Sequence, residues 1–329
     1  MTRQGICLFW LTAAALVLYA GCSSTGGAPQ EDDIYRQEMR NFVQNISTYA
    51  RNADSGFIVI PQNGQELLSE NGEPDGTPAT AYLDSIDATG REDMFFGYDA
   101  DDTATSAADR DYLLQLCLGF EQYGIEVLAT DYCSTRANMD QSYALNEQYG
   151  FISFAADQRD LNDIPDYPSA PHNENTGDIG TVADAKNFLY LIDSGNYAAK
   201  QDFITAVSAT DYDLIIMDLF HNDQAYTSAE IGQLKAKRSG GARLVICYMS
   251  IGEAEDYRWY WDASWTPGSP DWLKEENPEW EGNYAVEYWQ SGWQSVICGN
   301  DGSYVKKILD AGFDGVYLDK IDAFEYFEE

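Results

Sequence analysis

The chain has 329 residues, which suits one large domain, and carries 55 acidic against 19 basic residues for a formal net charge of −36. That balance excludes ordinary nucleic-acid binding, which needs basic side chains against phosphate. The two histidines, His172 and His221, give poor support for a histidine-rich metal site or a Ser-His-Asp hydrolase, which leaves carboxylate chemistry.

The N-terminus reads as an export signal: Arg3, an apolar run over 6–20, then small residues up to Gly21-Cys22. The box Tyr19-Ala20-Gly21-Cys22 resembles a bacterial lipoprotein cleavage site, with lipid carried on the Cys22 thiol. The expectation is a signal peptide over 1–21, a small-residue tether over 22–32 and a folded unit over 33–329. The protein would then sit in the cell envelope as a membrane-anchored lipoprotein facing the periplasm or exterior. A plain secretory signal is the alternative. A spanning anchor fits less well, because the apolar run is shorter than the roughly 20 residues a span needs.

Helical and strand-like runs alternate along the rest, the pattern of parallel βα units. An amphipathic helix over 33–52 leads into a strand-like run at 57–64. A short helical piece (81–86) precedes a run at 91–97. A helix over 107–123 feeds 125–132, and a polar helix over 137–148 precedes 151–154. Residues 159–184, rich in Pro, Asn, Gly and Asp, read as a long loop. The second half continues with a strand at 188–192, a helix over 198–207, and a strand at 214–218 that ends in Asp218. A helix over 228–237 and a strand at 244–250 follow. A Trp-rich excursion, a run at 284–289, a helix over 304–311 and the run 314–319 complete the set. That makes nine strands where a (β/α)8 barrel needs eight, and 151–154 is the segment we take as accessory. Cys117, Cys133, Cys247 and Cys298 fit no zinc spacing and read as buried thiols.

Chemistry concentrates where the strands end. The run Asp314-Gly-Val-Tyr-Leu-Asp319 is how a buried parallel strand delivers an acid to a barrel mouth, and Asp322 is either a second acid there or a helix cap. The segment from Tyr248 to Arg258 leaves its strand with Glu253, Glu255 and Asp256, which either pair with Arg258 at the surface or hold sugar hydroxyls. Trp259, Trp261, Trp265, Trp272, Trp280, Trp289 and Trp293 suggest a carbohydrate cleft, although tryptophans also fill cores. The surplus of acids either attracts a cationic substrate or solvates a surface adapted to saline water, and the second reading asks for less.

Taken together, the strings IIMD ending at Asp218, CYMSIGEAEDYR (247–258), NYAVEYW (283–289) and AGFDGVYLDKIDAF (311–324) resemble glycoside hydrolase family 114, the endo-α-1,4-polygalactosaminidases. FIVIPQNG (57–64), REDMFFG (91–97) and VLATDYC (127–133) extend the likeness into the first half. The resemblance implies a (β/α)8 TIM barrel without metal or cofactor, acting on an α-1,4-linked, galactosamine-rich polysaccharide and needing no protein partner. It implies a catalytic pair on the fifth and seventh strands, Asp319 as nucleophile and Glu92 as acid/base. Asn63, Asp131, Asp218, Tyr248, Glu255, Arg258 and Asp322 would line subsites or tune the pair. A catalytically silent barrel that binds envelope polysaccharide is the competing expectation. In the family order the PQNG and REDMFFG strings follow DGVYLD, whereas here they precede it. The expectation is therefore a circularly permuted barrel, with 33–158 carrying strands six to eight and 185–329 strands one to five. The strand at 57–60 should then lie beside that at 316–319. A truncated barrel behind an unrelated N-terminal domain is the rival.

Overall fold

A computed structural model describes residues 31–328; the signal segment and Cys22 lie outside them. Helix α1 (Glu31–Ala53) buries Met39, Phe42, Val43, Ile46 and Ala50, a stripe at helical spacing, and delivers the chain to the first strand. Among the described residues eight strands run parallel: β1 (Ile58–Pro61), β2 (Ala88–Glu92), β3 (Glu126–Tyr132), β4 (Ile152–Ala156), β5 (Phe188–Tyr190), β6 (Leu214–Asp218), β7 (Leu244–Ser250) and β8 (Gly315–Asp319). They are largely buried on both faces, as strands covered by helices must be.

One sheet has the order β1-β8-β7-β6-β5 and the other β2-β3-β4. They meet where Gln62 bridges Gly90 in parallel, next to the Asn63 N–H that donates to the Gly90 carbonyl at 2.9 Å. At the opposite seam the Phe154 ring of β4 lies 5.7 Å from that of Phe188 in β5.

The pairing expected across the ends of the sequence is present. Ile58 pairs with Gly315, Val59 with Val316, Ile60 with Tyr317 and Pro61 with Leu318. Gly315 has to be glycine, since a Cβ there would lie 2.4 Å from the Ile58 carbonyl oxygen. The segment after β8 folds against α1: Arg36 pairs with Glu328 at 2.7 Å and lies over the Phe324 ring. Strands near the two ends of the sequence thus lie side by side in one sheet, with α1 packed against the segment that follows β8.

Three expectations are corrected. The segment 151–154 is not accessory: β4 pairs with β3 along its length. The extra strand is Asn283–Val286, which forms a small antiparallel sheet with Glu253–Glu255 and Leu273–Glu276 beyond the end of β7. Within 185–329, Asp319 therefore closes the fourth parallel strand rather than the fifth, and 33–158 carries the other four. The second strand of the chain also sits earlier than 91–97. It ends at Glu92, because Asp93 adopts φ 58° and turns the backbone out of the sheet.

The irregular 159–184 stretch holds one short helical turn, Val182–Asp184, and is tied down by a buried ion pair. Lys237 meets Asp213 at 2.7 Å with neither side chain exposed, and its ammonium also donates to the Asn175 carbonyl.

Candidate active site

The parallel strands end on a common cavity of about 600 Å³, and Glu92, Asp218, Tyr248, Glu255, Arg258, Asn63, Asp319 and Asp322 all line it. The strand register explains the convergence. Tyr317 pairs with Tyr248 and Asp319 with Ser250, so the last residues of β8 stand level with the end of β7, while Glu92 closes β2.

Asp319 accepts a hydrogen bond from the Tyr248 hydroxyl at 2.5 Å and from the Lys320 N–H at 2.6 Å. Burial, then the neighbouring Glu92 charge, pushes its carboxyl up from 3.8 to about 7, against the pull of the Tyr248 bond. Glu92 has a denser shell. Tyr132 donates to one oxygen, while Gln62 and the Asn63 amide (2.9 Å) donate to the other. The Asn63 side-chain oxygen accepts from the Glu92 N–H at 3.2 Å, so backbone and carboxylate are clasped together. The Gln62 carbonyl accepts from Tyr190 at 2.7 Å, which fixes the amide orientation. Burial and the adjacent acids hold the phenols of Tyr132 and Tyr248 far above their ordinary range, so both remain donors.

Beneath the pair, Tyr317 points into the interior of the sheet between strands, where its ring lies 5.2 Å from Tyr190. It fits only because position 90 is glycine: a Cβ there would lie 1.9 Å from the Tyr317 hydroxyl.

Arg258 is not a surface ion. It is nearly buried and bridges Asp218 (2.7 Å) and Glu255 (2.7 and 3.1 Å), with Tyr257 donating to Glu255 at 2.7 Å. The triad welds the end of β6 to the segment after β7, and its cation is consumed internally.

Asp131 departs from the expectation. It is fully buried and does not reach the cavity. It accepts from the backbone N–H groups of Phe95 and Phe96 (2.8 and 3.1 Å), from Ser142 (2.6 Å) and from Asn146 (3.1 Å). Strand alternation sends Asp131 outward toward the helix Arg136–Tyr149, and sends Tyr132 inward. Tyr132, Gln62, Tyr190 and Arg159 are among the site residues that sequence reasoning missed. The period-two rule applied to β3 would have exchanged Asp131 for Tyr132.

The tryptophans are likewise mostly structural. Trp261, Trp265, Trp272 and Trp293 pack on one another and on Tyr284 and Tyr260 at 4.9–5.7 Å. Trp289 packs on Phe327, and Trp259 lies under Lys307 outside the cavity. Trp280, half exposed, is the one that lines the cavity among the described residues. The four cysteines are buried and free. Among the described residues no group of three or more His, Cys, Asp or Glu is placed to hold a metal ion.

Two carboxylates at the C-terminal ends of parallel strands, one holding a proton near neutrality and the other clasped by donors, form an arrangement suited to acid/base and nucleophilic work on one bond. Comparison with known proteins bears on the half of the chain that carries Asp319. Residues 171–329 match the model described as glycoside-hydrolase family GH114. An uncharacterized protein of Methanocaldococcus jannaschii is 40% identical over 159 residues, 47% of this chain and 42% of that one. Uncharacterized proteins of Thermotoga maritima (34% over 150 residues, 45% of each chain) and Deinococcus radiodurans (37% over 125 residues, 38% of each) are also similar. The alignments thus span less than half the length of these relatives.

Proposed function

We propose that the protein is a glycoside hydrolase that cuts an α-1,4-linked, galactosamine-rich polysaccharide internally. Asp319 attacks the anomeric carbon as nucleophile. For this the proton that Asp319 holds in the free site passes to Glu92 as substrate binds; Glu92 gives it to the departing glycosidic oxygen and, then ionised, activates the water that releases the sugar. The observation that carries this reading is the convergence of the two acids on one open cavity, close enough for the charge of Glu92 to raise Asp319.

The charge of the cavity supports an amino sugar. Asp160, Asp193, Glu253 and Asp322 line it besides the pair; of its three cations, Arg258 is spent on Asp218 and Glu255, Arg159 on Asp93 and Asp101, and Lys320 lies 3.9 Å from Asp322. The ammonium groups of a galactosamine chain would offset the field that keeps Asp319 protonated, releasing the ionised nucleophile when substrate arrives. Trp280 and Tyr257, both exposed at the cavity, offer ring faces for sugar stacking.

The same reading takes the two sheets as one closed (β/α)8 barrel, circularly permuted. In its support, β8 and β1 pair, α1 fills the crossover between them, and the family match covers only the second half. The protein would work in the cell envelope, held by lipid on Cys22, or be secreted.

The test is digestion of polygalactosamine and its acetylated counterparts, with products resolved by mass spectrometry and the first-formed anomer by proton NMR. The expectation is endo-cleavage with retention. Asp319→Asn and Glu92→Gln should each lower kcat by about 10³-fold or more, and the double variant should be little worse than either, because the acids act as one unit. Near-native turnover by either single variant would sink the assignment. Polymer binding without any cleavage would favour the silent barrel.

A further inference from the structure

Arg159 sits just past β4 and makes no direct bond to either acid of the pair, yet contacts with four residues tie it to the surroundings of Glu92. Its guanidinium grips the carboxylate of Asp93 with both terminal nitrogens (3.0 and 3.4 Å). It donates to the Gly97 carbonyl at 3.0 Å and to Asp101 at 2.9 Å. Its planar face lies over the Tyr132 ring, 3.9 Å from the centroid.

Each contact reaches Glu92 by a different route. Asp93 is the next residue in the chain and is a non-glycine held at φ 58°, a conformation that persists only where neighbours enforce it. Its carboxyl is largely buried, and its burial penalty is offset first by the Arg159 bond. The Gly97 and Asp101 contacts close the same turn from its far side. Tyr132 supplies the O–H donor to Glu92, and a cation over the ring polarises that O–H toward its acceptor. The ring is also trapped in place between Arg159 and the carboxylate. Arg159 therefore fixes both the main chain that carries Glu92 and the hydroxyl that holds its side chain.

We propose that Arg159 is the positioning residue for Glu92, aiming it through Asp93 and Tyr132 at the glycosidic oxygen. The inference rests on Glu92 being the acid/base. Because the cation is already shared by Asp93 and Asp101, Arg159 is not available as a counter-ion for substrate, and its loss should act on turnover rather than on binding.

The test compares wild type with Arg159→Gln, Arg159→Lys and Tyr132→Phe on polygalactosamine. Arg159→Gln should lower kcat by about 30-fold or more, part of the 10²- to 10⁴-fold that a well-placed proton donor supplies, with KM within about threefold of wild type. Its kcat-pH profile should move upward, because a positive charge beside the carboxylates has gone. Arg159→Lys should recover a fraction of the loss, since it keeps the charge but not the forked, stacked geometry. Tyr132→Phe should mimic Arg159→Gln, and the two together should cost less than the product of the single losses. A raised KM with kcat intact would make Arg159 a substrate ligand and overturn the proposal. An unmoved pH profile with kcat falling only as thermal stability falls would leave a purely structural role and overturn it too.

A readout without turnover separates this from the function itself. The ¹³C carboxyl resonance of Glu92 should shift between wild type and Arg159→Gln, and an unchanged resonance would refute the positioning role. A wild type inert on every galactosamine polymer would refute the proposed function, while the resonance still decides the role of Arg159.

Discussion

Asp319 combines two demands that conflict: it must be sheltered enough to react and ionised when it does. Its carboxyl is raised from 3.8 to about 7, so the folded state takes up a proton more readily than the unfolded chain. The linked contribution to stability is therefore fully present below about pH 4, is lost as pH rises, and is gone above about 7. Asp319→Asn removes the titration while keeping the shape. Its thermal midpoint should exceed that of wild type at pH 8 and converge with it near pH 4, as calorimetry would show. Equal midpoints at pH 8 would mean that the site does not strain Asp319. That acid was legible in the sequence, since an apolar run closing on a carboxylate leaves few alternatives. Tyr132 was not, because a tyrosine one step from an aspartate gives no hint which of the two faces inward until the strand's phase is known.

At the scale of an element, the turn after β2 explains the largest misreading. Met94, Phe95 and Phe96 are buried, and a run of buried aromatics reads as strand. The turn is instead held from outside by Asp131, which takes its Phe95 and Phe96 N–H groups and ties them to Ser142 and Asn146 on the helix. Hydrophobicity fixed the burial of this segment, and a buried hydrogen-bonding hub fixed its shape, which no local pattern reveals. Asp131→Ala would leave several of these donors without a partner and should destabilise the fold by about 3 kcal/mol or more, measured from denaturant midpoints. Hydrogen exchange at the Phe95 and Phe96 amides should speed up by more than the global loss explains. A variant of native stability with only a raised KM would restore Asp131 to the substrate site. The tryptophans teach the same lesson: composition announced a sugar cleft, but packing drew most of them into a cluster around Trp272 and Trp293.

For the whole molecule, the net charge of −36 remains the property with two readings. The acid-lined cavity favours steering of a polycation, and kcat/KM on polygalactosamine should then fall as salt rises, because screening shortens the field to about 8 Å at physiological ionic strength. A flat or rising profile would assign the charge to solvation alone. The alternating βα rhythm and the neighbourhood of β1 and β8 were legible in the order of the strings. The identity of the ninth strand was not, since Asn283–Val286 carries the same apolar signature as β4 and differs only in what it pairs with.

The pairing of β1 with β8 also constrains how the chain can be made. During synthesis β1 emerges well before its sheet partner β8, with every other parallel strand made in between, so one edge of β1 stays unsatisfied until β8 appears. The five-stranded sheet cannot close N-terminus first, as chains on the ribosome commonly do, and its long-range contacts predict slow folding. A polypeptide whose sheet must wait for β8 is one that a stalled or shortened product lacking that strand would leave with an open, adhesive edge.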